Sequence, residues 1–274
     1  MSAKPALSLA VSLVALLAAS GAVFAADVSV YEPVAEAPVV DDGADLVIEL
    51  GAGGRIAPEY EGSDEYTVSP FPIVAVDYLD IPGLFVIGSR DPQGGGFSFG
   101  PSIGYVGERD SDDFDDLDGL DDVDATYEAG IRVGYEWSFA EVYGEARYAF
   151  GGAEGFVGGF GANAIARPVQ ELTLKAGPFA TLASDDYTET YFGVTTAEAF
   201  TSGYDAYEPD GGFKSVGVAA SARYEFRPDW FLNADASYSQ FVGDAKDSPI
   251  VEAGDDEQYT FGLGLSKRFT LDLF

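Results

Sequence analysis

Apolar and polar residues alternate with a period of two along most of the chain. In residues 127–137 every second side chain is apolar or aromatic, and charged residues or glycine occupy the positions between them. A two-residue period is that of a β-strand with two unlike faces. The same pattern predicts about twelve strands, which cover residues 45–56, 71–78, 84–89, 97–105, 127–137, 141–148, 156–166, 172–182, 187–194, 215–226, 232–239 and 260–266.

The apolar faces of these strands meet either a protein core or lipid, and three features favour lipid. Aromatic residues cluster at strand ends, as in the belts of membrane barrels. The opposite faces mix Gly, Ser and Thr with charges of both signs, and no amphipathic helix or continuously apolar strand supplies a large soluble core. The pattern therefore predicts an all-β protein, an antiparallel transmembrane β-barrel, because only a closed barrel lets strands cross hydrocarbon. The alternative is a secreted β-sandwich or a soluble barrel.

The number of strands decides which loops share an end of the barrel. Twelve strands would place both termini in the periplasm, but the tight turns after Trp137 and Arg167 would lie outside and the acidic loop 110–124 would lie in the periplasm. Ten strands, with residues 187–194 folded into a loop, would reverse this. Short turns usually face the periplasm. Both strand numbers remain open at this point.

The first 25 residues have the features of a secretory signal peptide. Lys4 precedes an apolar run, and in Val23-Phe24-Ala25 the first and third residues are small enough to suit cleavage before Ala26. A membrane anchor helix is the alternative. Residues 26–44 form an acidic segment with two prolines that we expect to be flexible, and 45–274 form the predicted barrel. The expected location is the outer membrane of a Gram-negative bacterium, in contact with outer-membrane lipid.

Composition narrows the function. The formal net charge is −33 and only 14 residues are Lys or Arg, so nucleic acid is not an expected partner. There is no Cys and no His, which excludes thiol nucleophiles, zinc–thiolate sites and a Ser-His-Asp hydrolase. We therefore expect no enzyme, no catalytic residue and no cofactor.

Several charged residues fall on the polar faces of predicted strands and are candidates for lining the barrel interior. They can form a polar pathway or gate, or they can pair with one another and hold a narrow barrel shut. The candidate lumen-lining residues are Glu128, Arg132, Glu136, Glu141, Glu145, Arg147, Arg223 and Glu225.

The acidic segment 109–124 raises the question of calcium, since hard cations bind clustered oxygen ligands. The EF-hand spacing fails, because placing Gly119 in the glycine slot puts Phe114 at the first ligand position and Ala125 at the twelfth. The alternative is a solvated loop anchored by Leu117 and Leu120. The sequence therefore predicts no specific metal ligand, and only weak association with divalent cations.

Five segments resemble the MipA/OmpV family of outer-membrane proteins. The resemblance rests on GAGGRIAPEYEGSDEY at 51–66, on residues 107–130, on YTETYFGV at 187–194, on residues 202–212 and on GDAKDSPIV at 243–251. It implies an outer-membrane barrel without shared catalytic residues. It also implies a scaffolding role for murein enzymes, because the member that names the family binds a lytic transglycosylase and links it to a peptidoglycan synthase.

Two other functions compete with a scaffold at this point. A small-solute channel would use the polar interior. A surface adhesin or stress-response barrel would use the loops at 195–212 and 243–258.

Overall fold

The computed structural model describes residues 28–29, 45–88 and 96–273, and within them one antiparallel sheet dominates. Ten long strands form most of this sheet: β2 (Leu46–Pro58), β3 (Tyr66–Ile81), β5 (Gly96–Val106), β6 (Thr126–Glu136), β7 (Ala140–Gly151), β8 (Gly155–Val169), β9 (Leu172–Ala183), β10 (Gly212–Arg227), β11 (Trp230–Phe241) and β12 (Glu257–Leu271). Two short strands complete it, β1 (Val28–Ser29) beside β5 and β4 (Phe85–Gly88) beside β3.

The sheet curls into a barrel wall. Its strand order is β1-β5-β6-β7-β8-β9-β10-β11-β12-β2-β3-β4, so that the last strand pairs with the first long one. In this pairing Phe261 lies opposite Ile56 and Leu271 opposite Leu46. This pairing makes one continuous curled sheet from strands at the two ends of the chain, and within the described residues β1 and β4 are its edge strands. The all-β barrel predicted from the alternating pattern is confirmed.

Within the described residues, four helices lie in the loops. They are α1 (Asp185–Phe192), α2 (Thr196–Ser202), α3 (Gly243–Lys246) and α4 (Pro249–Ala253), and the acidic loop adds 3₁₀ turns at Ser111–Asp113 and Asp115–Leu117. None of the helices in the described ranges is long and apolar enough to cross a membrane.

The strand predicted at 187–194 is wrong, because most of this segment is helix α1. Asp185 and Asp186 occupy its first turn, where acidic residues favour a helix N-terminus. Tyr187 and Tyr191, four residues apart, then fall on one buried face. The described residues therefore contain ten long strands, the smaller of the two numbers that the sequence left open.

Loop lengths divide the barrel into two ends. One end of the barrel carries the start of β2, the finish of β12 and three short turns, at residues 137–139, 170–171 and 228–229. We call this the short-turn end. The segments 59–65, 107–125, 184–211 and 242–256 share the opposite end, the long-loop end. The acidic loop therefore lies across the barrel from the turns after Trp137 and Arg167, as both strand numbers predict.

The convex face of the wall is apolar. Ile131, Val218 and Leu263 are 49%, 54% and 47% exposed. Exposed aromatic rings form two belts. Tyr135, Trp137 and Phe226 are among those at the short-turn end, and Tyr127, Phe150 and Tyr259 are among those at the long-loop end. Belts of this kind mark the two surfaces of a bilayer.

The predicted signal peptide 1–25 and most of the acidic segment 26–44 lie outside the described residues. Within that segment, Val28 and Ser29 pair with Tyr105 and Gly104 of β5.

Candidate functional site

The concave face of β5, β6 and β7 carries a buried group of charges around Arg147. Its Nε donates to Glu128 Oε2 at 2.7 Å, and its Nη1 donates to Glu145 Oε1 at 2.9 Å and to Ser102 Oγ at 3.2 Å. Arg147 and Glu128 are almost fully buried. Because both carboxylates accept from one planar guanidinium, this group is fixed in position.

Arg132 lies in the next layer toward the short-turn end. Its two terminal nitrogens lie 3.5 Å from Glu141 Oε1 and 3.7 Å from Glu145 Oε2. The guanidinium also stacks 3.8 Å above the centre of the Tyr143 ring. Gly161 of the neighbouring strand makes room for this ring, since a Cβ there would meet Tyr143 Oη at 2.7 Å.

A third layer lies near the short-turn end. Lys175 Nζ donates to Glu136 Oε2 at 3.0 Å and to Glu141 Oε2 at 2.8 Å, and Arg167 Nη2 donates to Glu136 Oε1 at 2.8 Å. Asn163 adds a bond of 3.4 Å to Glu141. The three layers share carboxylates, so they form one continuous network from β5 to β9.

A second network lies on the opposite side of the interior. Arg223 Nη2 donates to Glu49 Oε2, Ser266 Oγ donates to Glu49 Oε1, and Asn233 Nδ2 donates to Ser266 Oγ at 2.7 Å. Arg223 also lies 3.5 Å from the centre of the Phe231 ring. The Arg223 and Glu49 side chains are 1% and 0% exposed, so this is a fully buried ion pair.

The predicted interior residues therefore separate into three groups. Arg223 belongs to the second network, and Glu225 instead accepts the Asp229 backbone N–H at 2.9 Å in the β10–β11 turn. The remaining six meet in the first network: Glu128, Arg132, Glu136, Glu141, Glu145 and Arg147. The sequence search did not name Lys175 or Glu49 as candidates, although Lys175 is on the polar face of its predicted strand.

An aromatic layer covers the long-loop end of the interior. Tyr187, Tyr191 and Phe192 of α1 pack with Phe241 and Val251, and all five are buried. The Phe192 and Phe241 rings meet edge to face at 5.3 Å. This layer places apolar side chains between the charged interior and the loops, which is the arrangement of a plug.

Hydrogen bonds fasten the aromatic layer to the wall and to other loops. Tyr191 Oη donates to Thr126 Oγ1 of β6 at 2.8 Å. Ser248 Oγ donates to the Phe192 carbonyl at 2.7 Å, and Arg109 Nη1 donates to the Tyr191 carbonyl at 2.9 Å. Burial lowers the pKa of Arg109 and raises that of Tyr191.

A second apolar cluster lies in the loops above this layer. It consists of the buried residues Tyr60, Leu117, Leu120, Val194 and Ile250. Burial is the main reason that the pKa of Tyr60 rises to about 12. Leu117 and Leu120 therefore anchor the acidic loop.

Among the described residues, no three acidic side chains are grouped so that they could hold a metal ion.

Two carboxylates hold the acidic loop in shape. Asp122 accepts from the N–H and the hydroxyl of Ser111, both at 2.8 Å, and these bonds lower its pKa. Glu198 of α2 accepts from the Asp121 N–H at 2.9 Å and from the Thr195 N–H at 2.7 Å. Burial acts to raise the pKa of Glu198, but these bonds outweigh burial and the pKa is lowered.

Ten long antiparallel strands, a lipid-facing apolar wall, two aromatic belts and an ion-paired interior define an outer-membrane β-barrel protein. A family model described as MltA-interacting protein MipA matches residues 50–269. The chain belongs to the MipA family.

Curated relatives match a shorter stretch. The MltA-interacting proteins of Escherichia coli K12 and of Shigella flexneri are each 32% identical to this chain over 81 residues. That stretch is 30% of this chain and 32% of each relative, so it spans about a third of their length.

Among solved structures, a loop-deletion mutant of OmpT, an outer membrane protein of Vibrio cholerae, is 10% identical with a TM-score of 0.31. The match covers 82% of this chain and 99% of that one.

Proposed function

We propose that this barrel is a non-enzymatic structural protein that scaffolds a murein-remodelling enzyme at the outer membrane. The observation that carries the proposal is the ion-paired interior, in which buried charges pair with one another and the aromatic layer of α1 lies at the long-loop end. The ion pairs of the interior hold neighbouring strands in fixed positions, so they make the barrel wall rigid. A rigid wall with fixed turns suits a protein that holds a partner in place.

The names of the relatives support the identity of the partner class. Both curated relatives are called MltA-interacting protein, so each is named for binding another protein. For this chain we propose a lytic transglycosylase as the partner, with a peptidoglycan synthase as a further member of the assembly. Murein lies on the periplasmic side, so the partner would contact the short-turn end.

Affinity capture tests the scaffold. The tagged full-length chain is purified from envelopes solubilised in mild detergent, and its co-purifying proteins are identified. We expect a lytic transglycosylase, and substitutions in the short turns, such as Gln170→Arg, are expected to reduce its recovery. Glu189→Arg at the long-loop end is the matched control, because Glu189 is also exposed. Capture without any murein enzyme, or equal loss in both variants, contradicts the proposal.

A small-solute channel is the second candidate. It is favoured by Arg132, whose side chain is 26% exposed within the first network and therefore borders open space. Planar-bilayer recordings separate the two functions. The scaffold predicts electrical silence. A steady open pore whose conductance changes in Arg132→Ala, but not in the lipid-facing control Val133→Ala, supports the channel and contradicts a closed interior.

A further inference from the structure

Two cations at the short-turn end lack a carboxylate partner among the residues that the structure describes. Arg227 ends β10 and Lys267 lies on β12, and neither forms an ion pair with any residue that the structure describes. Most of the other cations on the described strands do have such partners, either in the two interior networks or in separate pairs such as Arg55 with Asp235 and Lys214 with Glu61. In a chain with a net charge of −33, two cations left without a carboxylate are unusual and point to an external anion.

The strand register places these two cations on either side of one indole ring. Trp230 of β11 pairs with Arg227 on one side and with Lys267 on the other. Neighbouring strands in an antiparallel pair are separated by roughly 5 Å, so the backbones of Arg227 and Lys267 lie within a span of roughly 10 Å. The three residues occupy adjacent positions across β10, β11 and β12, and a register shift between Glu225 and Arg227 lies beside them.

Lys267 is held against aromatic rings on the lipid-facing side. Its Nζ lies 5.4 Å from the centre of the Trp230 ring and 5.1 Å from that of Phe269. The alternate residues of β12, including Leu263 and Leu265, are exposed on the apolar convex face. A lysine in this setting rests its aliphatic stem on apolar surface and presents its ammonium group at the depth of the lipid headgroups.

We propose that Arg227, Trp230 and Lys267 form a binding site for the phosphate of an anionic phospholipid headgroup. Arg227 supplies a planar donor for phosphate oxygens and Lys267 a compact positive charge. Trp230 contacts the glycerol and upper acyl region below them. Trp230 and Lys267 lie on the lipid-facing side, and Arg227 is exposed beside them at the end of β10. The site does not depend on the scaffolding role.

Tryptophan fluorescence tests this site directly, because the chain has only two tryptophans. Trp137→Phe leaves Trp230 as the reporter, and Trp230→Phe leaves Trp137. Trp137 belongs to the same aromatic belt, and no cation stacks on it among the described residues. Each full-length variant is reconstituted in phosphatidylcholine vesicles that contain a fraction of brominated phosphatidylglycerol, whose bromines quench a contacting indole.

We expect brominated phosphatidylglycerol to quench Trp230 more strongly than brominated phosphatidylcholine does. Each of the two cations should contribute about fivefold to this preference. The preference should fall to about onefold in Arg227→Gln/Lys267→Gln, and Lys267→Arg should retain most of it. Trp137 should show none. Lys246→Gln at the long-loop end is the control, because Lys246 pairs with Asp256 there.

Three outcomes overturn the proposal. The first is equal quenching of the two tryptophans, and the second is a preference that survives in the double variant. The third is loss of the preference when inorganic phosphate is added to the vesicles, because this would mean that the site takes free phosphate and not a lipid. If the double variant does not fold, the single variants Arg227→Gln and Lys267→Gln replace it. Each should then lower the preference of Trp230 for phosphatidylglycerol, and an unchanged preference in both overturns the proposal.

Discussion

Arg147 shows how single residues shape the interior. One guanidinium satisfies Glu128 and Glu145, and both it and Glu128 are removed from water. A buried ion pair contributes little compared with an apolar pair of the same shape, but loss of one partner leaves an unpaired charge. The interior charges are therefore mutually dependent, and substitutions among them should not be additive.

Replacing Arg147 with Met tests this dependence. We expect a loss of about 3–5 kcal/mol in the free energy of unfolding, because Glu128 would remain charged and buried without its partner. Arg147→Met/Glu128→Gln should recover a large part of this loss. Urea unfolding of the barrel in vesicles, followed by Trp fluorescence, measures both values. Equal losses in the single and double variants would show that Glu128 does not depend on Arg147.

The acidic loop should respond to pH through Asp122 and Glu198. The folded-state pKa of each is lowered, so their stabilising bonds are fully present above the ordinary pKa values of about 3.9 for Asp and 4.3 for Glu. The stabilisation is lost as pH falls through the folded-state values. Hydrogen exchange should therefore show weaker protection of amides 111–123 at pH 3 than at pH 7.

Asp122→Asn with Glu198→Gln should abolish most of this difference in protection between pH 3 and pH 7. A difference of unchanged size in the variant would mean that other carboxylates control the loop. Strand amides of β6 provide the internal reference, because they belong to the barrel wall.

At the scale of whole elements, helix α1 determines whether the barrel is covered. Phe192 is fully buried in its aromatic layer, whereas Phe200 on the neighbouring helix α2 is 87% exposed. The two residues have the same side chain in opposite environments. They are therefore a matched pair for measuring how much the plug contributes.

We expect Phe192→Ala to reduce stability by about 3–5 kcal/mol, because it leaves a cavity between α1 and Phe241. Phe200→Ala should change it by no more than about 0.5 kcal/mol. Denaturant unfolding gives both values, and limited proteolysis of the loops reports local opening. Similar effects in both variants would contradict a packed plug.

The strands could be predicted from the sequence and the plug could not, for a physical reason. Consecutive side chains of a strand point to opposite faces, so the period of two can be recognised within a few residues. Helix α1 is eight residues long, and over that length its apolar residues fit a strand nearly as well as a helix. Its identity is decided by packing against Phe241 and Val251, which are distant in sequence.

For the interior residues, the sequence could predict the strand face of each residue but not its ion-pair partner. The six residues of the first network follow from the polar faces of adjacent strands, which a hairpin pattern brings together. The Glu49–Arg223 pair joins residues 174 positions apart, and its geometry depends on closure of β12 against β2. Local pattern could assign each of these residues a face but not a partner.

At the scale of the whole molecule, the ten-strand wall determines which segments share an end of the barrel. Asp118 lies in the acidic loop at the long-loop end, and Gln170 lies in the short β8–β9 turn. Both are exposed. Because the chain has no native cysteine, a single introduced thiol gives an unambiguous label.

We expect a membrane-impermeant maleimide to label Asp118→Cys on intact cells. Gln170→Cys should be labelled only after the outer membrane is permeabilised, since short turns face the periplasm. The reverse labelling pattern would mean that the barrel has the opposite orientation in the membrane. Labelling of both thiols on intact cells would contradict a wall that spans the membrane.

The pairing of β12 with β2 sets the order in which the molecule can be built. Its two strands lie at opposite ends of the chain, with Phe261 against Ile56, so the seam can form only after every other long strand has been synthesised. Contacts between such distant segments form slowly, because a long stretch of chain must first be ordered. Until then Ile48 and Leu265 lie on unpaired edges that can join with other chains. An unfinished sheet is therefore open to association with other copies, and the net charge of −33 acts against such association through like-charge repulsion.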